Sequence, residues 1–158
     1  IEDSYLYKDI LALDSIGKPE KLVKLLQALA LQIGSQVSYN EIGQLVGLDT
    51  KTVDRYIDVL EKNYVIFRLG SFARNLRNEL KASRKIYFYD NGIRNALVAN
   101  FSQVENRTDV GALWENFLIS ERKKFLHYTK QWNNSWFWRT KEKTEIDLIE
   151  ERDGQIMG

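Results

Sequence analysis

The stretch from Ser38 to Leu69, SYNEIGQLVGLDTKTVDRYIDVLEKNYVIFRL, reads as a helix, a glycine turn, a second helix and a strand. Ser38 and Glu41 have the S-x-x-E spacing of a capping box, in which each side chain satisfies an orphan backbone N–H of the first turn. A helix is therefore expected from Tyr39, with Ile42, Leu45 and Val46 as its apolar stripe. Gly47 supplies the positive φ that stops it. Asp49 can cap the next helix, where Val53, Tyr56, Ile57 and Leu60 recur at three- and four-residue spacing before Asn63 ends it. That order is the outline of a winged helix-turn-helix.

In such a pair the second helix commonly enters the DNA major groove, so Thr50, Lys51, Thr52 and Arg55 near its start are the candidate nucleic-acid contacts. Asp54, Asp58 and Glu61 offset the charge of Lys51, Arg55 and Lys62, which makes this helix no basic stripe and favours weak DNA binding or a protein-facing role. The segment that follows is the most basic in the chain. From Arg68 to Lys85 it carries Arg68, Arg74, Arg77, Lys81, Arg84 and Lys85 against Glu79. It is expected to be a cationic loop of about fifteen residues between VIFRL and KIYFYD, either lying on phosphate or an acidic partner or simply solvated. Arg74, Arg77 and Arg84 join the candidate contacts.

Whole-chain composition bounds the function classes. The 158 residues are 44% hydrophobic and 28% charged, enough for a real core, and the net charge of +1 gives no general pull toward nucleic acid or membrane. Cysteine is absent, which removes disulfides, thiolate zinc sites and cysteine nucleophiles and fits a cytoplasmic protein. No apolar run approaches the roughly eighteen residues of a membrane span, and no membrane partner is expected. The chain opens at Ile1 on the amphipathic SYLYKDILALDSI and ends at Gly158 inside a strand-like run, as a piece of something larger would.

Pro19 opens an apolar helix carrying Leu22, Val23, Leu25, Leu26, Leu29, Ala30 and Ile33, expected to pack under the helix pair. Asp90 can cap a short helix through Leu97. Polar FSQVENRTD then marks a boundary near residue 100. Residues 1–100 form one expected domain, the winged helix with its N-terminal linking helix, and 101–158 the other. In the second, Asp109 is expected to cap a helix whose wide apolar face carries Val110, Leu113, Trp114, Phe117, Leu118, Phe125 and Leu126. WFWRT and a hairpin turning at Asp153-Gly154 follow.

Two carboxylates stand out there. Glu115 lies among apolar neighbours in GALWENFL, and Asp147 sits in the strand TEIDLI on the expected face of Glu145 and Ile149. Carboxylates so placed suit a hard cation such as Mg²⁺. With Asp153 and Gly154 as the loop, Asp147 lies opposite position 160, where a further acid, with a lysine two residues on, would complete a phosphodiesterase site. The remaining side chains have plainer expectations. Glu121 reads as a rim or salt-bridged residue, Lys141 and Lys143 as hairpin surface, and the lone His127 as structural. Trp132, Trp136 and Trp138 can stack bases but in a strand more often build core.

Together YLYKDIL, the helix-turn-helix, KIYFYDNGIRNAL, GALWENFLISE and WRTKEKTEIDLI resemble the C-terminal portion of a large group of prokaryotic AAA+-like ATPases. The resemblance implies an α+β chain: a winged helix followed by a truncated α/β restriction-endonuclease-like fragment of the PD-(D/E)xK kind. It makes Glu115 the helix acid and Asp147 the strand aspartate, as tentative catalytic and metal-binding residues. The E-x-K half and any Walker A pattern are missing from these 158 residues. This piece is expected to be a non-catalytic regulatory or interaction module, with ATP and any Mg²⁺ belonging to the full-length parent. Its partners would be its own N-terminal ATPase module or a second copy. The alternative is a DNA-binding module of a Mg²⁺-dependent nuclease.

Overall fold

A computed structural model describes residues 17–73, 83–140, 142 and 144–158. Among these residues the chain is a mixed α+β structure of five α-helices and a six-stranded sheet. Helix α1 (Pro19–Leu31) is followed by β1 (Gln36–Val37), α2 (Tyr39–Val46), α3 (Thr50–Lys62), β2 (Ile66–Ser71) and β3 (Arg84–Phe88). Then come α4 (Asn91–Leu97), a 3₁₀ turn (Val104–Asn106), α5 (Val110–Tyr128), β4 (Asn134–Arg139), β5 (Glu145–Arg152) and β6 (Gln155–Met157). The sheet order is β1-β3-β2-β4-β5-β6, with every pairing antiparallel except β2 with β4. One sheet thus runs through both halves of the sequence.

Local signals place the first helices. Ser38 Oγ accepts from the Glu41 N–H at 3.3 Å, Gly47 ends α2 at φ 70°, and Asp49 accepts from the Thr52 N–H at 2.9 Å. Val53, Tyr56, Ile57 and Leu60 are all buried, as their spacing predicts. Leu45 is not. It is 72% exposed, because α2 turns Ile42, Gly43 and Val46 inward and meets the following loop at Gly43, where a Cβ would lie 2.6 Å from the Leu48 carbonyl oxygen. The closest approach selects the smallest side chain, and the stripe rotates to follow it.

Alternation along the strands divides the core in two. Ile66, Ile86 and Phe88 face α1–α4 and join the leucines of α1 and the apolar face of α3. Phe67, Leu69 and Tyr87 face the other way and pack with Ile119 of α5 and Phe137 of β4. Either layer would be small alone; sharing a sheet lets each bury its face.

Helix α5 departs from its expected face. Trp114, Phe117, Leu118 and Phe125 are exposed, while Asn116, Ile119, Ser120 and Leu126 are buried. The reason is the rim of β3, where β1 covers only Arg84 and Lys85. The Asn116 carboxamide replaces the missing strand at Phe88, accepting from its N–H at 2.8 Å and donating to its carbonyl at 3.0 Å. A buried backbone pair left open would cost about 1–3 kcal/mol for each group. Asp109 precedes α5 but makes no side-chain cap bond. Its carboxylate instead pairs with Arg94 and, at 2.8 Å, with Arg107. Those pairs hold it well below the ordinary carboxylate value of 3.8, the Arg107 hydrogen bond contributing most.

The terminal hairpin has the expected turn and register. Asp153 and Gly154 both have positive φ, and Arg152 pairs with Gln155, Glu151 with Ile156 and Glu150 with Met157. A β-bulge interrupts β5 against β4, since Trp136 opposes Ile149 while Trp138 opposes Ile146. Two residues of β5, Asp147 and Leu148, therefore stand against Phe137.

Candidate functional site

The bulge decides which side of the sheet Ile149 takes. Without it Asp147 would share a face with Ile149; with it Ile146 and Ile149 line a small apolar hollow beside Phe72 and Trp138, on the other side of the sheet. Glu145 and Asp147 turn toward α5 and converge with Glu115 on one residue, Lys85 of β3.

Lys85 is 2% exposed, and its Nζ lies 3.0 Å from Glu115 Oε1 and 3.4 Å from Asp147 Oδ1 and pairs with Glu145. The Tyr87 hydroxyl donates to Glu115 Oε1 at 2.6 Å, and Arg139 Nε stands 3.5 Å from Glu145 Oε2. The Phe137 ring centroid is 5.3 Å from the ammonium. Gly34, at φ 73°, lets the chain pass close: a Cβ there would lie 3.2 Å from Glu115 Oε2.

Burial alone would lower the lysine pKa, but hydrogen bonds to Glu145 and Glu115 and their charge raise it above its ordinary value. The ammonium is the stable form. Burial beside Glu115 pushes the Tyr87 phenol far above the usual tyrosine range, so it stays a donor. Three carboxylates and two cations leave this cluster one negative charge in excess.

Glu115 and Asp147, singled out in the sequence as an acid pair, are thus brought to one point. What occupies that point is an ammonium. Among the described residues no group of three or more acids, histidines or cysteines is placed to hold a metal ion, and the donor set does not fit Mg²⁺ while Lys85 lies between its members. Lys85, Tyr87 and Glu145 were the residues missed. Sequence reading assigns Lys85 to a cationic loop, yet its parity with Tyr87 in KIYFY marks it as facing away from Ile86 and Phe88.

The helix α3 surface also differs from expectation. Asp54, Asp58 and Glu61 do not offset Lys51 and Arg55; they clamp Arg68 of β2, whose guanidinium lies 3.2 Å from Asp54 and 2.7 Å from Glu61 and also pairs with Asp58. Burial works against the charge, but the bonds to Glu61 and Asp58 raise the Arg68 pKa further. Thr50, Lys51 and Arg55 are exposed, and neither Lys51 nor Arg55 has an acidic partner among the described residues. Thr52 is committed to the cap, its hydroxyl donating to Asp49 at 2.6 Å. Arg84 is half-buried in β3 opposite Val37. Arg74, Arg77, Lys81, Lys141 and Lys143 lie outside the described residues.

Comparison with known proteins assigns the first two thirds of the chain. The model of a domain of unknown function, DUF8612, matches residues 2–105. The chain belongs to the DUF8612 family. A second domain of unknown function, DUF4143, matches residues 110–158. The uncharacterized proteins Mb2031c of Mycobacterium bovis and Rv2008c of Mycobacterium tuberculosis are each 28% identical over 132 residues, 82% of this chain. The chain spans 29% of the length of these curated relatives. A MepR mutant from a multidrug-resistant S. aureus clinical isolate covers 82% of this chain and 91% of its own, at 19% identity and a TM-score of 0.39, too low to bear on fold or function. No helix among the described residues is long and apolar enough to cross a membrane.

Proposed function

We propose that this chain is a regulatory and interaction module of a larger, cytoplasmic prokaryotic AAA+-like ATP-binding protein, and that its acid cluster is structural. The observation that carries this reading is the Lys85 ammonium seated among Glu115, Glu145 and Asp147. An ammonium with its donors spent on three carboxylates neither activates water nor leaves the carboxylates free to bind a metal. The order α1-β1-α2-α3-β2-β3 supports a winged helix up to about residue 100, and the residues beyond it form a nuclease-like fragment sharing the same sheet. ATP is then bound by the parent's own N-terminal module, and that module or a second copy of the chain is the partner. Isothermal titration of the intact parent's remaining chain into this one should give saturable binding, and Mg²⁺ should yield no heat of specific binding. Cleavage of plasmid DNA by the intact parent that is lost in Glu115→Gln and Asp147→Asn would overturn the structural reading.

A second reading is favoured by the freed cations of α3. Because Arg68 takes up Asp54, Asp58 and Glu61, Lys51 and Arg55 can meet phosphate with Thr50 beside them, and duplex DNA is the partner. Duplex affinity should then fall with salt at a slope of about −2, from roughly −0.9 for each of two phosphates. Affinity unaltered by Lys51→Glu and Arg55→Glu would remove it.

A further inference from the structure

A cleft of about 680 Å³ opens between α5 and the sheet, on the side of β2 and β5 away from α1, and is used by neither reading above. Its inner wall is aromatic. Phe67 and Tyr89 pack with ring centroids 4.9 Å apart, and Tyr64 meets Tyr89 edge-on at 5.6 Å. Its outer lip carries three aromatic rings left in water: Tyr64 is 63% exposed, Tyr128 78% and Trp132 85%. Amphipathic rings gathered around one opening are the composition of a contact surface, since each has a flat apolar face to cover.

The charges say what covers them. Arg68, Arg122, Lys123 and Lys124 line the cleft against a single acid, Glu150. Three of these cations are already matched: Arg68 by the acids of α3, Arg122 by Glu150 at 2.7 Å, and Lys124 by Glu121 at 2.6 Å. Glu150 is therefore not free to repel an anion; the Arg122 hydrogen bond holds its pKa below the ordinary 4.5. Lys123 has no acidic partner among the described residues, and its ammonium hangs 5.0 Å above the Phe67 ring at the cleft wall. Lys130, exposed just beyond Tyr128, likewise has none. Flat rings beside unpaired ammonium groups complement a unit with both a planar face and a negative charge.

We propose that this cleft binds an unpaired nucleotide, its base stacked on Trp132 and its phosphate held by Lys123. Stacking takes any base, because every base has a π-face, so recognition here carries little sequence preference. The same unit reaches the protein either as a free mononucleotide or within a single strand. A strand long enough to pass Lys130 places a second phosphate.

The test is a titration of the whole chain, followed by tryptophan emission and by anisotropy of a fluorescein-labelled ten-residue oligothymidylate, with AMP and an oligoglutamate peptide as parallel probes. Oligothymidylate should quench tryptophan emission and lose affinity with salt at a slope of roughly −1.4, about −0.7 for each of two phosphates. Lys123→Glu and Trp132→Ala should each weaken it at least about five-fold, the lower end of what one stacked base contributes. Both side chains are exposed, and Trp114→Ala, on the far face of α5, should leave affinity unchanged. AMP binding as tightly as the oligomer would assign the cleft to a free nucleotide, and AMP binding much more weakly would assign it to a strand. Absence of binding by both, equal affinity in the Lys123 and Trp132 variants, loss on Lys51→Glu instead, or preference for oligoglutamate would overturn the assignment.

Discussion

Lys85 shows how far one residue departs from its sequence neighbourhood. Five other basic residues precede it in the chain from Arg68 onward, yet the two-residue period of β3 sends it inward beneath α5, among three carboxylates. Removing one partner from a buried ionic group leaves the others uncompensated, so Lys85→Met should lower unfolding free energy by about 3–5 kcal/mol. Urea denaturation reads this directly; a loss under about 1 kcal/mol would mean that water already screens the cluster. Asn116 is the neutral counterpart. Its carboxamide holds both polar groups of Phe88, and Asn116→Ala should cost roughly 1–3 kcal/mol for each one left unpaired. Amide hydrogen exchange at Phe88 should accelerate in step, and unchanged protection there would show that a neighbouring group takes over.

Elements were legible where their signals are local. Ser38, Asp49 and Asp90 cap as their positions suggest, and Gly47 turns left-handed where a glycine is needed. Other helix ends lack that residue: Tyr64, Ala99 and Lys130 hold positive φ without being glycine. After α4, the Asn100 N–H bonds back to the Asn95 carbonyl at 3.0 Å, which fixes Ala99 in the left-handed region. Ala99→Gly should therefore stabilise the protein by about 0.5 kcal/mol, the strain of roughly 1–2 less the 0.5–1 that glycine's freedom in the unfolded chain takes back. A lower midpoint of thermal unfolding in that variant would contradict it. The face of α5 was not legible from periodicity, because its inward positions are chosen for bonds to β3 and Lys85 and not for hydrophobicity.

Over the whole molecule, two ion-paired acids join separate elements and contribute to the acid limit of stability. Asp109 ties the start of α5 to Arg94 of α4 and to Arg107, and Glu150 ties β5 to Arg122 of α5. Both acids have folded-state pKa values below their ordinary 3.8 and 4.5. Depressed values mean that the unfolded chain binds protons first, so this stability is present above about pH 4.5 and is lost as pH falls through the folded values. Thermal midpoints should stay level from about pH 7 to 5 and drop below that, with a shallower drop in Asp109→Asn. A midpoint unchanged down to about pH 3 would remove both acids from the account.

The sequence by itself determined what depends on neighbours a few residues apart: caps, the Gly47 turn, the buried side of α3 and the register of the Asp153-Gly154 hairpin. It also pointed to Glu115 and Asp147 as unusual acids. Only the tertiary structure decided what those acids meet. Lys85 and Glu115 are thirty residues apart and Lys85 and Asp147 sixty-two, and a bulge after Asp147 takes Ile149 off the face that Asp147 shares with Glu145. A bulge arises from how two strands fit together, and no periodicity within either strand records it.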